Sequence, residues 1–94
     1  MPSVIFSKKA TEALINQAQY IFEQTQNIEI SDIYLDDMQK FIVLILRSFP
    51  ESGRPTDEIL KGSRKIVYKG YSIIYQIGDR RIEVLTIYRE NLSK

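Results

Sequence analysis

The back half of the chain constrains the fold most. Three runs rich in β-branched and aromatic residues, Arg64 to Lys69, Tyr71 to Ile77 and Arg80 to Tyr88, are joined by Lys69-Gly70 and Gly78-Asp79. Glycine accepts the positive φ that tight hairpins require, so links this short predict an antiparallel meander. In the middle run Tyr71, Ile73, Tyr75 and Ile77 alternate with Ser72, Ile74 and Gln76. Successive side chains of a strand point to opposite faces, and here both faces carry apolar groups. The run therefore reads as a central strand, covered by helices on one side and partly covered on the other. Tyr71 and Tyr75, alternating with isoleucines, read as packing groups.

The front half changes period. Val4-Ile5-Phe6 is short, apolar and β-prone, and reads as a first strand. Ser7 is a candidate helix cap, after which Leu14, Ala18, Ile21 and Phe22 recur at helical spacing until about Thr25 to Asn27. A second helix is read from Ser31 as N-cap, with Asp32 facing the positive end of the helix dipole and Ile30 and Leu35 at the staple positions. Leu35, Met38, Phe41, Ile42, Ile45, Leu46 and Phe49 mark one apolar stripe, and Pro50 stops the helix. Residues 50–63 are rich in Pro, Gly and polar groups and read as a connector with one short turn near Asp57 to Lys61. Residues 89–94 read as a polar tail. The predicted order is β-α-α-β-β-β: a single α+β domain over residues 1–94, with two helices packed on one face of a small twisted sheet. Pattern alone does not place the first strand within that sheet.

Composition removes several kinds of chemistry. The 94 residues include no Cys and no His, which excludes disulfides, thiolate nucleophiles, imidazole acid/base catalysis and a His-ligated metal. No metal and no cofactor is expected. No apolar run approaches the ~18 residues needed to span a bilayer, and the first residues lack a signal-peptide pattern, so a cytoplasmic location is expected. The net charge of +1 hides an asymmetry: residues 1–46 carry three basic and six acidic side chains, residues 47–94 ten basic and six acidic. Lys61, Arg64, Lys65 and Lys69 fall in one stretch without an acid. Such a stretch either meets phosphate or an acidic protein surface, or is a solvated strand edge that Lys and Arg protect from aggregation. The edge reading is the simpler one.

Motifs for catalysis are sparse. Gly53, Gly62, Gly70 and Gly78 are isolated and spaced for turns, not for a phosphate-binding loop. Asp36 and Asp37 are neighbours on a predicted helix and do not face one another. Arg54, Arg64, Arg80, Arg81 and Arg89 remain, as groups that hold an oxyanion through paired hydrogen bonds. Among the strand tyrosines, Tyr88 is the most open candidate, because it ends a strand beside Arg89.

The arrangement resembles the ParE/RelE toxin superfamily of bacterial toxin–antitoxin systems. The resemblance covers nearly the whole chain and is carried by Gly53-Arg54-Pro55 in the connector, Gly62-Ser63-Arg64 entering the sheet, Tyr71 to Tyr75 in the middle strand, and the Val84 to Arg89 end of the last strand. It implies an intracellular toxin with a cognate antitoxin that orders on binding. The superfamily divides by activity. RelE-type members cut messenger RNA in the ribosome, using the RNA's own 2′-hydroxyl as nucleophile. For that branch the resemblance assigns Arg64, Lys65 and Arg89 to the phosphate and Tyr88 to stacking or proton transfer. Such members commonly place an Arg directly after the middle-strand Tyr, where this chain has Ser72, and others use a C-terminal His. ParE-type members poison DNA gyrase by binding. The Gly53-Arg54-Pro55 connector and the Glu58 to Arg64 stretch look more like this branch, which is the favoured reading, with Arg54, Arg64, Lys65, Tyr88 and Arg89 as target contacts. A third reading is a member that retains only partner binding.

Overall fold

Ser7 begins the architecture by doing two things at once. Its Oγ accepts from the Ala10 amide at 3.0 Å, capping the first helix, and donates to the Leu85 carbonyl at 2.8 Å. One residue thus ends the first strand, starts a helix and ties both to the far end of the chain. The computed structural model describes residues 3–89. Its elements are β1 (Ser3–Phe6), α1 (Lys8–Thr25), α2 (Ile28–Ser48), β2 (Arg54–Pro55), β3 (Ser63–Tyr68), β4 (Tyr71–Ile77) and β5 (Arg81–Arg89). The strands form one sheet in the order β1-β5-β4-β3-β2. The meander β3-β4-β5 is antiparallel as the turn chemistry predicts, and β1 joins β5 in parallel. The predicted α+β arrangement, two helices against a small sheet, is the one observed. Among the described residues, no helix is long and apolar enough to cross a membrane.

The Lys69-Gly70 turn has both residues at positive φ, 48° and 88°, the geometry that matches the twist of a tight hairpin. The second hairpin differs: Gly78 does not take the positive φ expected of it, and Arg80, expected to begin the last strand, is instead the turn residue in the left-handed region, at φ 67°. Lys69, expected to end the first meander strand, likewise lies in its turn, and Ser63 opens β3 one residue early.

Two expectations about the helices are corrected. The N-cap of α2 is Asn27, whose Oδ1 accepts from the Ile30 amide at 3.1 Å. Ser31 lies inside the helix, buried, and donates to the Ala18 carbonyl of α1 at 2.6 Å. Asn27 reaches the cap first because Gln26 takes a left-handed conformation at φ 55°, closing α1 and leaving a very short link. Glu29, rather than Asp32, supplies the acid of the first turn, and the Ile30–Leu35 staple does not apply to this register. The apolar stripe is otherwise as read: Met38, Ile42 and Leu46 are fully buried, and Leu35, Phe41 and Ile45 pack partly against the core. Phe49 is 64% exposed, because it lies past the end of α2. On α1 burial is confined to Ala10 and Leu14; Phe22, expected inside, is exposed at the far end of the helical hairpin.

The connector is held to the sheet by Tyr75. Its hydroxyl donates to the Pro50 carbonyl at 2.6 Å and accepts from the Gly53 amide at 3.1 Å. Tyr75 is fully buried, so these bonds satisfy a phenol that would otherwise cost free energy inside the core. They also leave no room at Gly53: an added Cβ would lie 2.7 Å from both the Lys65 carbonyl and the Tyr75 hydroxyl. Replacement of Gly53 by Ala is expected to cost about 3 kcal/mol or more by overpacking, because the nearest atoms are backbone and a hydrogen-bonded phenol. Gly70→Ala meets open space and pays only for its left-handed backbone, about 1–2 kcal/mol. Urea unfolding of both variants checks this. The wild-type Tyr75 contacts explain the site if Gly53→Ala is the more costly change, and an equal or smaller loss at Gly53 contradicts them.

Candidate target-binding site

Strand register sorts the five candidate residues onto two faces. Arg54 pairs with Lys65, Lys65 with Ile74, and Ile74 with Thr86. One step along, Val67 pairs with Ser72 and Ser72 with Tyr88. Residues directly opposite one another in a ladder share a face, so Arg54, Lys65 and Tyr88 lie on the sheet face away from the helices. Ser72 and Ile74 are buried on that face, and Tyr88 is 39% exposed at its end. Arg54 donates to the Pro55 carbonyl at 3.1 Å and pairs with Glu58 at 3.3 Å, an exposed ion pair of small energetic weight.

Arg64 belongs to the other face. It pairs with Tyr75, which pairs with Val84 in the core. Its guanidinium donates to the Gly53 carbonyl at 2.6 Å and the Glu51 carbonyl at 3.2 Å. Arg64 and Tyr75 therefore clasp the same stretch of connector, and Arg64 is occupied in holding it.

Arg89 also turns toward the helices, for a reason that strand alternation does not reveal. Ile74 pairs with Thr86 but Tyr75 pairs with Val84, so Leu85 is an extra residue in β5, a bulge. Ile82 and Val84 face the core before it, and the phase then shifts so that Ile87 is the buried residue after it. Without the shift Tyr88 would face the helices and Arg89 the open side. With it, Arg89 pairs with Tyr71 and lies with its guanidinium 4.9 Å over the ring of Tyr20 on α1. Arg89 is thus the last residue of β5 rather than the first of the tail; residues 90–94 of the expected tail lie outside the described residues.

Around Arg89 the fold gathers Tyr20, Tyr34 and Tyr71. The rings of Tyr34 and Tyr71 meet edge-on at 6.0 Å. Hydrogen bonding to the Tyr20 phenol is the chief cause that holds the Arg89 pKa above its ordinary value, with the nearby phenols of Tyr71 and Tyr34 adding to it. Burial, and then the neighbouring Tyr34 phenol, push Tyr71 up, while the charge of Arg89 works the other way. Beside this cluster Lys69 lies 5.4 Å over the ring of Tyr68, which packs against Phe41. The sequence reading missed Tyr20 and Tyr34. Tyr20 occupies a helical position outside the apolar stripe, and nothing in helix spacing shows that the end of a distant strand reaches it.

The site thus offers cations on both faces and aromatic surfaces beside them. The described residues contain no cluster of acidic groups suited to a metal ion. Chemically the arrangement is equipped to bind an acidic partner. The two arginines read as candidates for phosphate chemistry, Arg64 and Arg89, are not brought together with Lys65 and Tyr88 on one face.

The sequence profile of the ParE toxin of type II toxin–antitoxin systems matches residues 4–91, and the chain belongs to that family. Among solved structures it is similar to a chain of the chromosomal ParDE toxin–antitoxin system of P. aeruginosa, at 20% identity and TM-score 0.81, covering 97% of this chain and 98% of that one. It is also similar to a chain of the RelBE2 toxin–antitoxin complex of Mycobacterium tuberculosis, at 20% identity and TM-score 0.70, covering 95% of this chain and 91% of that one. No curated protein matches the sequence significantly.

The raised phenols set an alkaline limit on stability. A Tyr whose folded pKa exceeds its unfolded value keeps its proton longer in the native state. Its contribution is present below the unfolded pKa of about 10 and is lost as pH rises through the folded pKa. Tyr71 and Tyr75 both shift this way, chiefly by burial. The chain is expected to lose stability as pH climbs past about 10, and Tyr71→Phe is expected to flatten that fall. Denaturation midpoints measured across the alkaline range check it; a Tyr71→Phe curve parallel to wild type excludes Tyr71 as a contributor.

Proposed function

We propose that this toxin arrests growth by binding DNA gyrase and that a cognate antitoxin neutralises it. The observation that carries the reading is the fate of the two arginines. A ribonuclease of this fold has to concentrate positive charge at one phosphate, where charge develops in the transition state. Here Arg64 is spent on the Gly53 and Glu51 carbonyls, and Arg89 lies over the Tyr20 ring on the helix side of the sheet, on the opposite face from Lys65 and Tyr88. The open sheet face keeps Lys65 and Tyr88, with a buried Ser72 where an RNA-cutting relative would present an Arg. What survives is recognition chemistry, with Arg54, Lys65, Tyr88 and Arg89 as target contacts.

The antitoxin reading is supported by the two structural neighbours, both from toxin–antitoxin systems, and by exposed apolar surface. A groove of about 650 Å³ runs along α2 beside β1, lined by Phe6, Val43 and Leu44 with Asp36, Lys40 and Arg47 at its rim. Leu44 is 64% exposed there, and Ile28 and Ile33 stand out from the same helix. Such surface on a small domain is a docking ground for a segment that folds as it binds.

Induction of the toxin without antitoxin, followed by pulse incorporation of labelled thymidine and methionine in one culture, tests the target. An early fall in thymidine incorporation is expected. An early fall in methionine incorporation instead would move the assignment to messenger-RNA cleavage at the ribosome. Accumulation of soluble toxin with neither effect would remove the toxic reading altogether.

A further inference from the structure

Tyr20 is a helix residue that contacts the basic end of β5 across the fold. It is exposed, and its ring lies 4.9 Å from the Arg89 guanidinium. Arginine otherwise carries a large rotamer freedom, which an interface has to remove before the group makes a contact. The Tyr20 phenol also holds Arg89 by a hydrogen bond, and since a guanidinium carries five N–H donors, those not bonded to Tyr20 remain to pair with a carboxylate. The backbone that carries Arg89 is itself held in place. Arg89 pairs in the ladder with Tyr71, and Tyr71 meets Tyr34 of α2 edge-on. Three elements, α1, α2 and β4, therefore converge on one side chain of β5.

We propose that Tyr20 is a positioning residue for target recognition. It holds Arg89 ordered before binding and aims it, from the helix side of the sheet, at a carboxylate of the target protein. This rests on the reading that Arg89 contacts the target. It adds a residue that the target need not touch, and it makes the junction of α1 with the β5 end part of the recognition surface. The Lys69 ammonium over Tyr68 places a second ring-supported cation on the neighbouring hairpin, so the acidic target region would meet positive charge at both points.

Colony formation after induction of the full chain reads the effect without presupposing the target. Arg89→Ala and Tyr20→Leu are each expected to raise survival at least ~10-fold, the scale of losing a central interface contact. Tyr20→Phe keeps the ring but loses the phenol hydrogen bond, and should fall between wild type and Tyr20→Leu. Arg89→Lys keeps the charge but loses the planar fork of donors, and should behave like Tyr20→Leu. The double variant Tyr20→Leu/Arg89→Ala should be no less toxic than Arg89→Ala alone, because Tyr20 acts only through Arg89. In NMR spectra the Arg89 Nε proton should be shifted upfield by the Tyr20 ring and return in Tyr20→Leu. Full toxicity of Tyr20→Leu beside a loss in Arg89→Ala overturns the positioning role alone. Full toxicity of Arg89→Ala overturns the contact on which it rests. Additive losses in the double variant assign Tyr20 a separate role and also overturn the proposal. Should Tyr20→Leu fail to fold, the Arg89→Lys and Tyr20→Phe pair decides: equal toxicity of the two contradicts it.

Discussion

One inserted residue in β5 sets the character of this molecule. Leu85 has no partner in β4, and the strand changes phase around it. The bulge keeps apolar groups on the core side at both ends of a nine-residue strand, Ile82 and Val84 before it and Ile87 after it. It also puts the Leu85 carbonyl where the Ser7 hydroxyl bonds it, while the Ser7 amide bonds the Val84 carbonyl at 2.9 Å. The start of α1 is thereby anchored at the irregularity. The same shift delivers Arg89 to Tyr20 and leaves Tyr88 on the open face. Bulges commonly re-aim side chains near functional sites, and this one re-aims the basic end of the chain.

A second constraint acts at the other side of the sheet. Tyr75 and Arg64 both bond the backbone of residues 50–53, one from within the core and one from the edge. The connector therefore behaves as part of the sheet, and its short strand Arg54–Pro55 extends the ladder beyond β3. Thr56 and Ser63 close the loop that follows, their buried hydroxyls 2.6 Å apart. The cost to function is that Arg64 works as a fastener. Taken with the bulge, this divides the positive charge of the C-terminal half between two faces and separates the groups that phosphate chemistry would need together.

Much of the fold was legible because its signals are local. Turn glycines, strand alternation in β4 and the α2 stripe each depend on neighbours in sequence, and each predicts the element observed. The burial of Tyr71 and Tyr75 follows from the same alternation. What escaped depends on contacts between distant residues. Ser31 looks like a cap until its hydroxyl is seen bonding Ala18 of the other helix. Arg54–Pro55 looks like loop because a two-residue strand has no period. The face of Arg89 could not be assigned by counting, since an extra residue sets it whose presence only pairing reveals, and nothing in strand alternation shows that Arg64 clasps the connector. The five candidate residues fall on two faces of the sheet, and Tyr20, whose ring lies under Arg89, carried no local signal.

On the function proposed above, this ParE-family chain works by occupying its target rather than by cutting RNA. The most direct measurement is a titration of the purified toxin into a DNA gyrase supercoiling reaction, with ribosomes translating a defined messenger as a parallel reaction. Dose-dependent loss of supercoiling, with the messenger left intact, is the predicted result. Cleavage of the messenger with supercoiling unaffected would contradict it.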